Sequence, residues 1–287
     1  MRLARAAAVA ALRRRTARGR LGIPPGLAQP AAALTQPAAT LRRADGRQED
    51  AMLMPSYTLH FYDHCPFGHR VHIILHRFSI KYDKVVYGYG AGARPEENGG
   101  EGYGEGPRVL TGMKMCPVLV GEGVPYPEGM QGLPESLEIC SYLIARHKLP
   151  VSCATDRADV AKLTAEIREC SDLLCVPRNP KMPVGDWADP RDVAYFMYKK
   201  RSHGQEPQSE AVEADLKRQV NAKLLELPPM LRGKDCLNAW GWGMDDVLLL
   251  PWLRRLTMIK GIEYPPAVKA YMDATTDELC DYSKYAC

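Results

Sequence analysis

The sequence predicts an α/β domain followed by an all-helical domain. Three observations carry this. A strand, a cysteine, a proline-led helix and a second strand follow one another from Ser56 onward. Beyond Asp156 every periodic segment has helical spacing. At 287 residues the chain is long enough for two domains.

Tyr57 to Tyr62 is rich in strand formers and predicts the first strand. Pro66 suits the first turn of a helix, where its missing N–H costs nothing. Val71, Ile74, Leu75 and Phe78 then recur at i, i+3, i+4 and i+7, which makes one apolar helix face. Tyr82 to Tyr87 predicts a second strand and completes a βαβ unit with Cys65 at the strand-to-helix turn. Gly88 to Gly106 holds eight Gly and four Glu and predicts a flexible surface insertion. Met115 to Val120 and Val124 to Tyr126 predict an antiparallel hairpin. Pro134-Glu135-Ser136 then opens a helix. Residues 148–156 form the expected linker. The expected helices beyond it are Ala158 to Leu174, Pro190 to Arg201, Ser209 to Leu227, Asp245 to Lys260 and Pro265 to Tyr282. The expected domains are therefore 55–147 and 157–287.

Residues 1–54 read as a leader. Up to residue 47 it carries ten Arg, no Lys and one acid, Asp45, the composition of an organelle transit peptide. Mitochondrion is the first expectation and plastid the second. The leader alone gives the chain its formal charge of +4, because the remainder has 28 basic and 33 acidic residues, a net of −5. The charge argument for nucleic-acid binding therefore disappears. Val247 to Leu253, the longest apolar run near the C-terminus, is too short to cross a bilayer. Nine Cys without one C-x-x-C pair predict neither a zinc ribbon nor a disulfide framework, so no metal is expected.

Cys65 is the expected nucleophile. A free thiol with pKa near 8.5 is only about 3% thiolate at pH 7. A helix N-terminus offers unpaired N–H groups and about half a positive charge, which favour the anion. His64 is expected to point away from the sulfur. Met115-Cys116-Pro117 stands where the third strand begins, and Glu135-Ser136 at a helix start where free N–H groups can hold a carboxylate. Each has a plainer explanation: a core cysteine, a strand-start proline, ordinary helix capping.

Taken together, Tyr62 to Gly68, Gly112 to Leu119, Pro134 to Ile139 and Asp245 to Ile262 resemble the bacterial glutaredoxin 2 family over roughly residues 56 to 275. The resemblance implies a thioredoxin-like domain followed by a glutathione-transferase-like helical domain, with glutathione as co-substrate. It implies a cis bond before Pro117, backbone pairing of Cys116 with the cysteinyl part of glutathione, and Glu135 and Ser136 at its γ-glutamyl end. Pro66, Phe67 and Met115 would complete the glutathione site, with Lys114 as a candidate for the glycyl carboxylate. The family pattern is C-P-[FY]-C, but the fourth position here is Gly68. A dithiol enzyme uses that second cysteine to resolve its mixed disulfide. The expected activity is therefore monothiol deglutathionylation through Cys65, acting on glutathionylated proteins or small disulfides, with Cys116 as a candidate resolving thiol. Competing readings are glutathione conjugation, a non-catalytic glutathione-binding module in an organellar assembly, and an iron–sulfur carrier. The oligomeric state is not fixed by the sequence.

Three further patterns are read as structural. Gly88 to Ala93 fits G-x-G-x-x-A but lacks the helix a dinucleotide site needs. His69, His72 and His76 share one helix side and are expected on a solvated face. Trp240 and Trp242 are expected as packing anchors.

Overall fold

A computed structural model describes residues 57–94, 102–276 and 281–287. The leader lies outside the described residues, as do 95–101 of the insertion and 277–280.

Four strands form one mixed sheet in the order β2-β1-β3-β4. Strand β1 (Tyr57–Phe61) pairs parallel with β2 (Tyr82–Val86) and antiparallel with β3 (Val118–Gly121). Strand β4 (Leu133–Pro134) adds antiparallel to β3. Parallel pairing of β1 and β2 requires a crossover, and helix α1 (Pro66–Arg77) supplies it. Tyr57, Leu59 and Phe61 alternate into the core, as a pleated strand demands.

The expected hairpin does not form. Strand β3 pairs with Leu133–Pro134 instead of Val124–Tyr126. Pro125 leaves the latter segment without one ladder donor, and Pro127 follows it directly. The turn at Gly121 survives, with the Val124 N–H donating to the Gly121 carbonyl.

The α/β part also contains a short helix, α2 (Arg108–Thr111), and α3 (Ser136–Arg146). The helical part contains α4 (Ala158–Cys175), α5 (Pro190–Ser202), α6 (Glu210–Leu224), α7 (Met244–Leu256) and α8 (Pro266–Thr276). The five expected helices thus form, each with an end shifted by at least one residue. The fifth is described as far as Thr276, and Tyr282 is not helical.

Helix α1 lies between two layers. It packs against α3 on one side and against α7 on the other. This overturns the solvated histidine face: His69 and His72 are buried, and only His76 of the three is exposed. The helical domain covers the polar side that periodicity assigned to water. Helix α7 is itself buried along nearly its whole length. At its start Asp246 accepts from the backbone of Gly243 at 2.8 Å and Leu237 at 3.0 Å, and from Tyr271 Oη at 2.8 Å. Trp242 is buried against Phe78, whereas Trp240 is 56% exposed.

The described parts of the glycine-rich insertion are packed rather than free. Ala91 and Ala93 are buried, and Gly90 N–H donates to Asp192 Oδ1 at 2.6 Å. Tyr103 Oη donates to the same oxygen at 3.0 Å, so the carboxylate that caps α5 also holds the insertion. A Cβ on Gly92 would stand 2.5 Å from the Glu105 carbonyl, and φ there is +76°. Glycine serves close backbone approach at that position.

Candidate active site

Cys65 occupies the N-cap of α1 with extended backbone, and Pro66 follows at the first helical position. Its sulfur faces a cleft of about 430 Å³ between the two domains. Tyr62, His64, Pro66, Phe67, Met115 and Cys116 line it from the α/β side. Phe196, Lys199, Lys200, Trp252 and Arg255 line it from the helical side.

Two influences act on the thiol in opposite senses. Burial pushes its pKa up, and the backbone N–H groups of Phe67 and Gly68 pull it down; burial prevails. The helix terminus therefore moderates the loss of ionisation without reversing it.

The Cys116–Pro117 bond is cis, as the resemblance implied. Cys116 shares the cleft with Cys65, but burial and the neighbouring Cys65 push its pKa far up. A thiol so hard to ionise is a poor attacking group as it stands.

Glu135 and Ser136 do not line this cleft. Ser136 is buried and opens α3, and its Oγ accepts from Arg70 at 3.3 Å. Arg70 in turn lies 4.7 Å from the centre of the Phe67 ring, so it connects that helix start to the wall of the thiol cleft. Glu135 is exposed and has φ 69° and ψ 113°. Non-glycine residues rarely adopt this conformation, which costs roughly 1–3 kcal/mol. Pairing of Leu133–Pro134 with β3 on one side and the start of α3 on the other fix the turn.

Lys114 Nζ donates to Tyr62 Oη at 2.8 Å and stands 4.8, 4.6 and 5.1 Å from the ring centres of Tyr62, Tyr89 and Tyr195. Burial, with help from the nearby Lys199 charge, lowers its pKa to about 8.

The segment before Cys65 is held by residues of the helical part to which sequence reasoning assigned no site role. Asp186, fully buried, accepts from the Asp63 N–H at 2.8 Å, the His64 N–H at 2.7 Å and His64 Nδ1 at 2.6 Å. The Asp63 carbonyl accepts from Arg254 Nη1 at 2.7 Å and Tyr282 Oη at 3.2 Å. Arg254 also pairs with the Asp63 carboxylate at 3.2 Å. His64 thus turns toward the helical domain, where its ring packs 4.7 Å from that of Trp187. These contacts fix the backbone that presents the sulfur.

Gly68 lies in the first turn of α1, three residues after Cys65. A Cβ there would stand 3.2 Å from both Phe61 Cβ and Phe61 Cδ2 and 3.4 Å from the Tyr62 carbonyl oxygen. Among the described residues no group of three or more His, Cys, Asp or Glu side chains is arranged to hold a metal.

Comparison with known proteins points one way. Residues 159–279 match the family model for the Glutaredoxin 2 C-terminal domain. Over 222 residues the chain is 25% identical to glutaredoxin 2 of Escherichia coli K12, covering 75% of this chain and 92% of that protein. The fold superposes on the crystal structure of glutaredoxin 2 from Salmonella typhimurium in complex with glutathione, with TM-score 0.67 and 23% identity. That match covers 80% of this chain and 99% of the Salmonella chain. A thioredoxin-like sheet domain followed by a glutathione-transferase-like helical domain is therefore the architecture of this protein.

Proposed function

We propose that this chain, a homologue of glutaredoxin 2, is a glutathione-dependent oxidoreductase that removes glutathione from mixed disulfides through Cys65 alone. The observation that carries the reading is the arrangement around the sulfur. Cys65 caps α1 in a cleft beside the cis Cys116–Pro117 bond, while Gly68 stands in tight contact where a second cysteine would be needed. The Salmonella glutaredoxin 2, whose fold this chain shares, is described in complex with glutathione.

The chemistry closes with one protein thiol. The Cys65 thiolate attacks the glutathionyl sulfur of the substrate. A Cys65–glutathione disulfide forms, the substrate's disulfide breaks, and the substrate thiolate leaves and takes a proton. The thiolate of a free glutathione then attacks the glutathionyl sulfur on Cys65. Glutathione disulfide leaves and the Cys65 thiolate returns. In net terms one mixed disulfide and one glutathione become one free thiol and one glutathione disulfide.

Binding of the tripeptide is assigned to Pro66, Phe67, Met115, Cys116 and Pro117, with Glu135 and Ser136 at its γ-glutamyl end. Deglutathionylation of a glutathionylated peptide by wild type and Cys65→Ser tests the reading. The variant is expected to fall below about 1% of wild type, as loss of a covalent nucleophile demands. A wild-type protein that conjugates glutathione to an electrophile but leaves mixed disulfides untouched would overturn it. The arginine-rich leader is proposed to direct the chain to mitochondria. Import of the full-length chain into isolated mitochondria, beside plastids, tests that part.

A further inference from the structure

The cleft over Cys65 gathers more positive charge than its own acids neutralise. Arg255 pairs with Asp172 at 2.8 Å, and Arg168 approaches the same carboxylate at 3.7 Å. Asp186, the other carboxylate beside the thiol, is taken by the backbone and ring of His64. Lys199 and Lys200, in the last turn of α5, are half-buried, and their ammonium groups have no hydrogen bond or ion pair among the described residues. Lys199 Nζ lies 5.8 Å from the centre of the Tyr89 ring, whose centre is 4.6 Å from Lys114 Nζ, so two cations flank one ring. Lys200 Nζ lies 5.4 Å from the Phe196 ring. Complementing the dipole of α5 would require only that the lysines sit near its end. It would not require them to face the cleft, half out of water and beside a third lysine. Asn179 lines the same cleft, 2% exposed, and its Oδ1 has no partner in the structure. The chain beyond residue 47 is acidic overall, which sets this basic cleft apart from its surroundings.

We propose that Lys199 and Lys200 form a docking site for the substrate protein itself, and that it selects glutathionylated cysteines flanked by Asp or Glu. The proposal rests on the deglutathionylation reading and names the substrate class for that site. Lys114 lines the cleft from the α/β side, and Lys199 and Lys200 line it from the helical side. Unpaired cations in a cleft concentrate anions and steer their approach, and added salt weakens both effects.

The test uses two fluorescent glutathionylated peptides, identical except for three flanking Asp or three flanking Lys. Binding to the full-chain Cys65→Ser protein is measured by anisotropy, and kcat/KM with the wild-type protein. The acidic peptide is expected to bind and react about tenfold better at low ionic strength, with the preference shrinking at 0.5 M salt. Lys199→Glu/Lys200→Glu should reverse the preference, while Lys199→Arg/Lys200→Arg should keep it. Thermal unfolding of each variant checks that it folds. Equal binding of the two peptides would overturn the proposal. So would a charge-reversed variant that keeps the acidic preference while its KM for glutathione rises, because the lysines would then serve the tripeptide. Failure of the oxidoreductase reading looks different: both peptides go unprocessed by wild type, yet the acidic one still binds the Cys65→Ser protein more tightly.

Discussion

At the scale of single residues, Gly68 stands where the resemblance to glutaredoxin 2 leads one to expect a second cysteine. Gly68→Cys restores a second thiol one helical turn into α1, but its Cβ must press on Phe61. Crowding of this kind costs about 1–3 kcal/mol. The expected outcome is a less stable protein that now reduces a protein disulfide, measured with a disulfide-bonded substrate and by thermal unfolding. No gain of activity in a folded variant would mean that the cleft, rather than the missing sulfur, sets the monothiol cycle. Much of the nucleophile's setting was legible from sequence. A strand, Cys65-Pro66 and an amphipathic run fix a helix N-terminus by local chemistry, and Met115-Cys116-Pro117 and Glu135-Ser136 follow in known order. The ionisation balance at Cys65 was not legible. It depends on a wall of side chains, Phe196 and Trp252 among them, that belongs to a remote part of the chain.

At the scale of elements, α1 carries a pH dependence. Burial lowers the pKa of His69 to about 4 and that of His72 to about 2, against 6.5 in the unfolded chain. Below pH 6.5 the unfolded chain therefore binds protons that the native protein refuses, so stability falls as pH drops from 6.5 toward 4 and is flat above. For His69 alone this is on the order of 3 kcal/mol. Asp63 acts in the same sense at lower pH. Its pKa is held well below the carboxylate range by His69 and Arg254 against the opposing effect of burial, so its contribution is complete above about pH 4 and is lost in stronger acid. The urea midpoint should fall between pH 7 and pH 5. His72→Phe, which keeps the ring contacts with Phe61 and Tyr82, should reduce that slope. A midpoint that does not move would refute the account. Periodicity placed these histidines on a wet face because it identifies the apolar side of a helix without revealing whether a second layer covers the other side. The hairpin failed for a similar reason: Val124 to Tyr126 has strand-forming residues, but Pro125 removes a donor and Leu133–Pro134 takes the place.

At the scale of the whole molecule, the helical domain is part of the site. Asp186, Arg254 and Tyr282 together hold Asp63 and His64, so the sulfur's position depends on both halves. Asp186→Ala leaves two backbone N–H groups and an imidazole without their acceptor in a buried setting. The expected loss is about 3 kcal/mol of stability, with deglutathionylation reduced beyond what a merely less stable protein would show. Chemical unfolding and kcat measured well below the unfolding midpoint check the two parts separately. Unchanged kcat would show that the clamp stabilises the fold without positioning the thiol. Nothing in the residues around 186 announces this role, because a buried carboxylate acquires its meaning from the backbone it meets more than a hundred positions away.

The hold on Asp63 also bears on how the protein is made. Its carbonyl is secured by Arg254, 191 residues further along the chain, and by Tyr282, 219 residues further along. Ribosomes add about 5–20 residues per second, so the cysteine loop emerges roughly ten to forty seconds before its last anchors are synthesised. Through that interval a nascent chain carries an unshielded thiol, and the working site exists only once the final helices have arrived and docked.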